Sequence, residues 1–208
     1  YNFPQNNNGQ TLHGGLKGLD MIVWDVDSVS GNSITLSVLC PDGHDGMPGN
    51  RKIVMTYSLT SENEFKVEYV AETDKATHMN ISHHSFFNLK GEGNGTINDH
   101  VLYINASRTT PVDALLIPTG EIADVTGTPF DFREPKTIGR DLGAENEQLQ
   151  HGAGYDHNWV LANEGEFKKA AELKSCESGI AMEIFTDLPG IQVYTANYVE
   201  NDTGKHGV

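Results

Sequence analysis

The sequence is poor in cysteine and in basic residues, and both shortages restrict what the protein can be. Its two cysteines among 208 residues have a spacing that matches no metal or redox motif, and we expect both to be free thiols. Fourteen Lys and Arg against 29 Asp and Glu give a net charge of −15. Such a surface repels phosphate backbones and anionic lipid head groups, so we expect neither a nucleic acid nor a membrane partner.

Long apolar runs and targeting signals are also missing. No stretch approaches the ~20 consecutive apolar residues of a membrane span, and the first residues form no basic, apolar leader. We expect a cytoplasmic protein, with a secreted or periplasmic location as the alternatives. The first residue is Tyr1 rather than Met, which predicts a processed chain or a piece of a longer one.

The motifs of several common enzyme classes do not occur. The sequence has no Gly-x-Ser-x-Gly elbow, no Walker-type phosphate loop, no His-Glu-x-x-His zinc motif and no Cys-x-x-Cys pair. Nine histidines are present, but no two have zinc-site spacing within a helix. We therefore expect acid–base chemistry without a cofactor and without a metal.

The sequence does contain a series of short apolar segments, separated by Gly, Asn, Asp and Pro. Phe65, Val67 and Tyr69 alternate with charged residues, and this period of two is typical of a half-buried strand. The segments expected to form strands are 21–29, 33–40, 52–60, 64–71, 78–83, 100–106, 159–162, 180–187 and 191–197. Serial strands with turn signals predict an all-β protein, either an antiparallel sandwich or a barrel.

Two segments differ from this pattern. Residues 136–151 are polar with scattered leucines and are expected to hold a short helix, whereas residues 109–133 are rich in Pro, Thr, Gly and Asp and predict a long ordered loop. No linker divides the chain, so we expect a single domain over residues 1–208.

Two histidine clusters are candidates for a functional site. His13 precedes two glycines, where the backbone can turn sharply and leave the ring accessible, although such a sequence is more often a plain surface loop. His84 is followed by Phe86, Phe87 and Asn88, which suits a proton donor in an aromatic pocket or a structural histidine. Adjacent strand residues face opposite ways, so His83 and His84 are not expected to bind one metal.

Two further clusters combine polar and aromatic residues. Residues 154–159 read Gly-Tyr-Asp-His-Asn-Trp, and their carboxylate, imidazole, amide and indole suit sugar recognition. A turn in which Asp156 and Asn158 cap their own backbone is an equal alternative. After a Pro-Gly turn, Gln192 and Tyr194 follow at strand spacing, which ordinary sheet residues would also show.

Taken in order, these motifs resemble the aldose 1-epimerase family. Residues 8–15 contain Asn-Gly and Leu-His-Gly-Gly, residues 18–20 read Gly-Leu-Asp, and Trp24 follows. Residues 83–89 read His-His-Ser-Phe-Phe-Asn-Leu, close to the family's Asn-His-Ser-Tyr-Phe-Asn-Leu, with departures at its first and fourth positions. Gly-Thr-Pro-Phe-Asp-Phe-Arg at 127–133, the 154–159 motif and Pro-Gly-Ile-Gln-Val-Tyr at 189–194 complete the resemblance, which runs from about residue 6 to 197.

The resemblance implies a galactose mutarotase-like β-supersandwich of mainly antiparallel strands, which interconverts the α and β anomers of free hexoses such as glucose or galactose. His84 matches the family's general acid, which protonates the ring oxygen as the hemiacetal opens. An imidazole suits that step because its ordinary pKa is about 6.5. His13 and Asp156 match positions that hold the sugar's oxygens. The further substrate contacts that we expect are Asn8, Gln192 and Tyr194.

Two family residues find no match in this sequence. The family's general base is a glutamate in a Cys-Leu-Glu-x-Gln-like strand, and neither Glu183 nor Glu200 has that context. A substrate-binding arginine that precedes the Leu-His-Gly-Gly motif in the family is also unmatched. The resemblance thus implies the middle part of a longer epimerase. Missing outer strands would leave open sheet edges, which favours self-association or a second chain that completes the fold.

Three alternatives remain open at this point. A hexose-6-phosphate 1-epimerase would need a basic cluster for the phosphate, and the matched loops offer only Arg108, Arg133 and Arg140. A non-catalytic carbohydrate-binding module on the same scaffold would bind sugar without turnover. A structural domain of a larger glycoside hydrolase would leave the histidine pocket empty.

Overall fold

A computed structural model describes residues 1–163 and 165–199. Residue 164, Glu200 and residues 201–208 lie outside the described residues. The chain splits into two compact units, Tyr1–Ser85 and Phe86–Val208, and the single domain expected from the sequence stays a prediction. Within the described part, none of the helices has the length and apolar character that crossing a membrane requires.

The first unit is built on one antiparallel sheet in which chain neighbours are also sheet neighbours, in the order β1-β2-β3-β4. Its strands are β1 (Asp25–Val29), β2 (Ser33–Cys40), β3 (Arg51–Leu59) and β4 (Phe65–Thr73). A 3₁₀ turn, His44–Gly46, lies between β2 and β3. The alternation predicted for residues 64–71 is thus part of an observed strand.

The core of the first unit is small and lies against this sheet. The buried residues Val38, Cys40 and Ile53 form it. The partly buried residues packed against them are Leu19, Ile22, Trp24 and Ile81. Trp24 Nε1 donates to the backbone oxygen of Leu19 at 2.9 Å, which closes the loop before β1. Both cysteines are free thiols, as predicted, and burial raises the pKa of the Cys40 thiol.

Within residues 86–163 and 165–199, the second unit contains two antiparallel sheets of four strands each, in the orders β11-β10-β5-β8 and β12-β9-β6-β7. The strands are β5 (Val101–Ile104), β6 (Arg108–Thr110), β7 (Ala123–Asp124), β8 (Lys136–Thr137), β9 (Asp156–Val160), β10 (Lys168–Lys174), β11 (Ala181–Thr186) and β12 (Gly190–Tyr194). The short helix α1 (Glu147–Gly152) and a 3₁₀ turn (Ile138–Arg140) complete it. The all-β architecture with one short helix is confirmed.

Aromatic side chains fill the core of the second unit. Tyr155 and Trp159 are fully buried, and their rings pack with those of Phe130 and Phe132. The Tyr155 hydroxyl donates to Pro129 O and Trp159 Nε1 donates to Phe130 O, both at 2.9 Å. The Gly-Thr-Pro-Phe-Asp-Phe-Arg motif is therefore held from inside by the side chains of the motif at 154–159.

The observed elements differ from the expected ones in several places. Residues 78–83 form no strand and pair with none of the described strands, although their apolar pattern predicts one. The strand β10 was not expected from its sequence Lys-Lys-Ala-Ala-Glu-Leu-Lys. The predicted loop 109–133 begins within β6 and contains the two-residue strand β7.

Candidate functional site

His13 lies in a loop that a tight hairpin turn precedes. Asn8 and Gly9 occupy the centre of the turn with φ values of 46° and 77°, and Asn7 and Gln10 bridge it through their backbones. Positive φ at both central residues is the geometry for which Asn-Gly is preferred. The Asn-Gly pair is therefore explained by the turn, and a sugar contact from the exposed Asn8 stays a prediction.

His13 and His84 come together within the first unit. Both residues are exposed, and their ring centroids are 4.9 Å apart with an interplanar angle of 83°. His83 points to different partners, since its ring contacts those of Tyr57 at 5.6 Å and Phe65 at 5.5 Å. The rings of the two adjacent histidines thus contact different residues, even though their segment is not a strand.

Asp156, Gln192 and Tyr194 come together within the second unit, on the sheet that contains β9 and β12. The two strands pair so that Tyr194 lies opposite Asp156. The Gln192 amide donates to Asp156 Oδ1 at 2.9 Å across the strands. A carboxylate and an amide on one sheet face can together accept hydrogen bonds from vicinal hydroxyls and donate hydrogen bonds to them.

Aromatic rings flank this carboxylate–amide pair. The Tyr194 ring lies 5.8 Å from that of Phe86 and 6.5 Å from that of Tyr198, and Phe86 and Tyr198 are 58% and 54% exposed. Partial burial raises the pKa of the Tyr198 hydroxyl, and the negative charge of Asp156 adds to that shift. Rings with such exposure suit the apolar C–H face of a sugar.

The backbone around Asp156 is fixed by the turn at residues 195–197. The Asn197 amide donates to Gly152 O at 2.8 Å and to Tyr155 O at 2.9 Å, while its oxygen accepts from the Thr195 hydroxyl at 2.6 Å. Gly154 approaches this amide so closely that a Cβ there would lie 2.6 Å from Asn197 Oδ1. The beginning of β9 is therefore held in one position.

His157, next to Asp156, faces the interior and is 1% exposed. Burial lowers its pKa to about 4, and the nearby His151 adds to the effect. Its Nδ1 accepts the Asp156 N–H at 3.0 Å, so the proton of the neutral ring is on Nε2. Among the described residues Nε2 has no hydrogen-bond partner. This histidine lies in the core of the second unit.

The sequence predicts no metal site, and it leaves a hexose-6-phosphate 1-epimerase open as an alternative. No group of three or more His, Cys, Asp or Glu side chains that could hold a metal occurs in the part of the chain that the structure describes. Arg133 already bonds Asp131 through Nε and Nη2 at 2.8 and 2.7 Å, and Arg140 contacts Asp141 at 3.3 Å. These two cations, which a phosphate would require, are thus engaged with carboxylates.

Sequence reasoning missed the residues that support the site. Asn6 bonds backbone groups on either side of His13, Asn197 bonds two backbone oxygens that precede Asp156, and buried His100 accepts the Leu89 N–H at 3.0 Å at the end of the 83–89 motif. The clusters of Asn near glycines were a signal for such side-chain-to-backbone bonds. Their partners, however, depend on the folded path of the loops.

Comparisons with known proteins agree with the motifs. The family described as aldose 1-epimerase matches residues 1–207. The chain is 40% identical to galactose mutarotase of Bos taurus over 208 residues, all of this chain and 59% of that protein, and 34% identical to aldose 1-epimerase of Haemophilus influenzae over 197 residues, 94% of this chain and 57% of that protein. It thus spans about three fifths of the length of the curated relatives it matches.

Solved structures show the same likeness. An aldose epimerase homologue from C. elegans superposes with a TM-score of 0.88 at 31% identity, covering 99% of this chain and 60% of that one. Galactose 1-epimerase from Lactobacillus acidophilus gives 0.83 at 32% identity, covering 95% and 57%. The mutarotase-like fold is confirmed, and the chain belongs to the aldose 1-epimerase family.

Proposed function

We propose that the protein interconverts the α and β anomers of free aldohexoses such as glucose or galactose. The relatives named galactose mutarotase and aldose 1-epimerase support this activity. The observation that carries it is the contact between the exposed rings of His13 and His84, 4.9 Å apart, on two loops that bear family motifs. An exposed imidazole pair contributes little to a core, and it suits proton transfer to a sugar oxygen.

In the proposed reaction His84 is the general acid. Its protonated imidazole delivers a proton to the ring oxygen while the C1–O5 bond breaks, and a general base removes the proton of the anomeric hydroxyl to form the aldehyde. Rotation about C1–C2 exposes the other carbonyl face. The C5 hydroxyl then attacks that face, the base returns its proton to the carbonyl oxygen, and His84 recovers its own. No residue of this sequence is assigned as the base.

The remaining residues are proposed to bind the sugar. His13 and Asp156 contact sugar oxygens, and Asn8, Gln192 and Tyr194 are further substrate contacts. The bond from Gln192 to Asp156 supports this role, since it orients the carboxylate without neutralising it. Holding both proton-transfer groups against the sugar would accelerate the reaction by about 10²–10⁴-fold for each group.

Polarimetry on freshly dissolved α-D-galactose tests the role of His84. We expect the protein to accelerate the change in optical rotation beyond the spontaneous rate, and His84→Ala to lower that acceleration about 10²–10⁴-fold. His78→Ala is the matched control, because it removes an exposed imidazole from the same segment and should leave the rate unchanged.

Two outcomes would contradict the proposal. Equal acceleration by the wild type and His84→Ala would remove His84 from the mechanism. Galactose binding in a calorimeter, without any acceleration of mutarotation, would favour a carbohydrate-binding module instead.

Partners and location are proposed on the same basis. The substrate is a free monosaccharide, which is neutral and therefore approaches a chain of net charge −15 without repulsion. The same charge disfavours nucleic acids and membranes. Self-association or a second chain that completes the fold, and a cytoplasmic location, remain predictions.

A further inference from the structure

We infer that Asn6 is a positioning residue for His13, and that its side-chain amide sets where the His13 ring lies against His84. The inference rests on the proposed function, because it takes His13 to be a sugar contact. Asn6 does not need to touch the sugar for this role. It acts through the backbone on both sides of His13.

The Asn6 amide makes three hydrogen bonds around His13. Its Oδ1 accepts the Leu12 N–H at 2.9 Å, and its Nδ2 donates to Leu12 O at 3.0 Å and to Gly15 O at 3.1 Å. These groups come immediately before His13 and two residues after it. One planar amide therefore fixes both ends of the His13–Gly14 segment.

The bonded segment has a backbone that needs such support. His13, Gly14 and Gly15 have φ values of 51°, 87° and 100°, so three consecutive residues lie in the left-handed region. A residue with a Cβ rarely adopts that conformation without bonds that hold it. The Gly15 N–H also donates to Leu12 O at 3.0 Å and closes this turn, and we expect loss of the amide to release Leu12 N–H and Gly15 O and to shift the His13 ring from its present position.

A second pair of bonds holds the far side of the same loop. The Lys17 N–H donates to Asp45 Oδ2 at 2.9 Å, and His44 Nε2 bonds Lys17 O at 2.8 Å. The loop is thus already tethered beyond Gly15. Loss of the Asn6 amide should therefore change the His13 segment locally and leave the rest of the loop in place.

An amide is the only neutral group that fits all three bonds. It offers an acceptor to the Leu12 N–H and two donors to the carbonyls of Leu12 and Gly15. Asn6→Asp keeps the acceptor but turns a carboxylate oxygen toward two carbonyl oxygens. Asn6→Ala removes all three bonds. Both variants therefore remove the two donors, and Asn6→Asp also adds repulsion between its carboxylate and the two carbonyl oxygens.

The first test is NMR of the full chain with ¹³C-labelled histidine. We expect an NOE between the His13 and His84 rings in the wild type, and its loss, with a shifted His13 ring resonance, in Asn6→Ala and Asn6→Asp. Asn32→Ala is the matched control. It removes a side-chain amide that donates to Leu59 O at 2.8 Å in the same unit, and it should keep the NOE.

The second test is a double-mutant cycle in mutarotation kinetics. We expect Asn6→Ala to lower kcat/KM about 10- to 100-fold, the cost of a misplaced binding group. On a His13→Ala background the same change should have no further effect. A merely structural role would instead give the same loss on both backgrounds, because independent effects add.

The outcomes decide the inference whether or not the proposed function holds. An unchanged NOE and ring resonance in both Asn6 variants, or additive losses in the cycle, would overturn it. If Asn6→Ala does not fold, Asn6→Asp decides, because it keeps the acceptor for the Leu12 N–H. If the wild type shows no mutarotation, the proposed function fails, while the ring contact alone still tests Asn6.

Discussion

At the scale of single residues, His157 shows how strongly the histidines of one chain can differ in burial. His13 and His84 are exposed, whereas His157 is buried and is kept neutral by its surroundings, with a pKa of about 4. The unfolded chain would have the ordinary value of about 6.5. Between these two pKa values the unfolded state binds a proton that the folded state does not.

This difference predicts a pH dependence of stability. Because the folded pKa of His157 is depressed, its contribution is fully present above about pH 6.5 and is lost as pH falls toward 4, with a total of about 3 kcal/mol. We expect urea unfolding at several pH values to show this loss, and His157→Asn, which keeps an acceptor for the Asp156 N–H, to flatten it. The matched control is His78→Ala, which should leave the slope unchanged. An equal slope in His157→Asn would assign the pH dependence to other groups.

The sequence names single residues as candidates for the site, and their roles stay predictions. The motifs predicted His84, His13 and Asp156 as candidates, and the structure adds that the two histidine rings meet. Asn6 could not be predicted, because its amide bonds residues six and nine positions away along a loop whose path the sequence does not dictate. Side-chain bonds to the backbone of irregular loops depend on the complete fold.

At the scale of elements, β9 depends on the turn at residues 195–197 for its beginning. Gly154 has a φ of 137°, and a Cβ at this position would come within 2.6 Å of Asn197 Oδ1 and 2.9 Å of Thr195 Oγ1. Both neighbours are already engaged in hydrogen bonds with each other and with Tyr155. They cannot move without breaking those bonds.

We therefore predict that Gly154→Ala destabilises the protein by about 1–3 kcal/mol, from backbone strain and the displaced amide. Thermal unfolding by circular dichroism measures this. Gly120→Ala is the matched control, since Gly120 also has a positive φ, 89°, but a Cβ added there would meet nothing within 4 Å. Equal costs in the two variants would show that strain alone, and not the contact with Asn197, is responsible.

Strands were predictable where apolar and polar residues alternate, and less predictable where charged residues interrupt that alternation. The boundaries of β2 and the range of β4 follow the sequence closely. The strand β10 was missed because charged residues hide its pattern: Lys169 pairs with Glu172 of the same strand and with Glu183 of β11, and Lys174 pairs with Glu172. Its two central alanines, Ala170 and Ala171, are buried. Partners from other parts of the chain decide such cases.

At the scale of the whole molecule, the net charge of −15 governs the response to salt. Like charges repel one another in the folded state, and raising the ionic strength from about 0.01 to 0.15 M shortens the screening length from about 30 to 8 Å. Ion pairs such as Lys66–Glu68 are exposed and contribute little, so their screening does not offset this gain.

We predict that the melting temperature rises by a few °C over this range of NaCl at pH 7. Differential scanning fluorimetry measures the change, and the control is the same series near the sequence pI of about 4.8, where the effect should vanish. A melting temperature that falls with salt at pH 7 would mean that ion pairs outweigh the repulsion.

The family and the all-β architecture were predictable from the sequence because local patterns express them. Turn residues, alternation and motif order are all local properties of the chain. The division into two units was not predicted, since no change of composition marks residues 85 and 86. Such a division depends on which strands pair, and pairing is a property of distant residues.

The strict alternation of β9 limits how relatives of this chain can diverge. Asp156 lies on one face and His157 on the other, and β12 pairs with these residues one to one. Inserting or deleting one residue inside either strand would exchange the two faces, carry an imidazole outward and push a carboxylate among aromatic rings. We therefore expect replacement of side chains at constant length along these two strands, and changes of length in the loops.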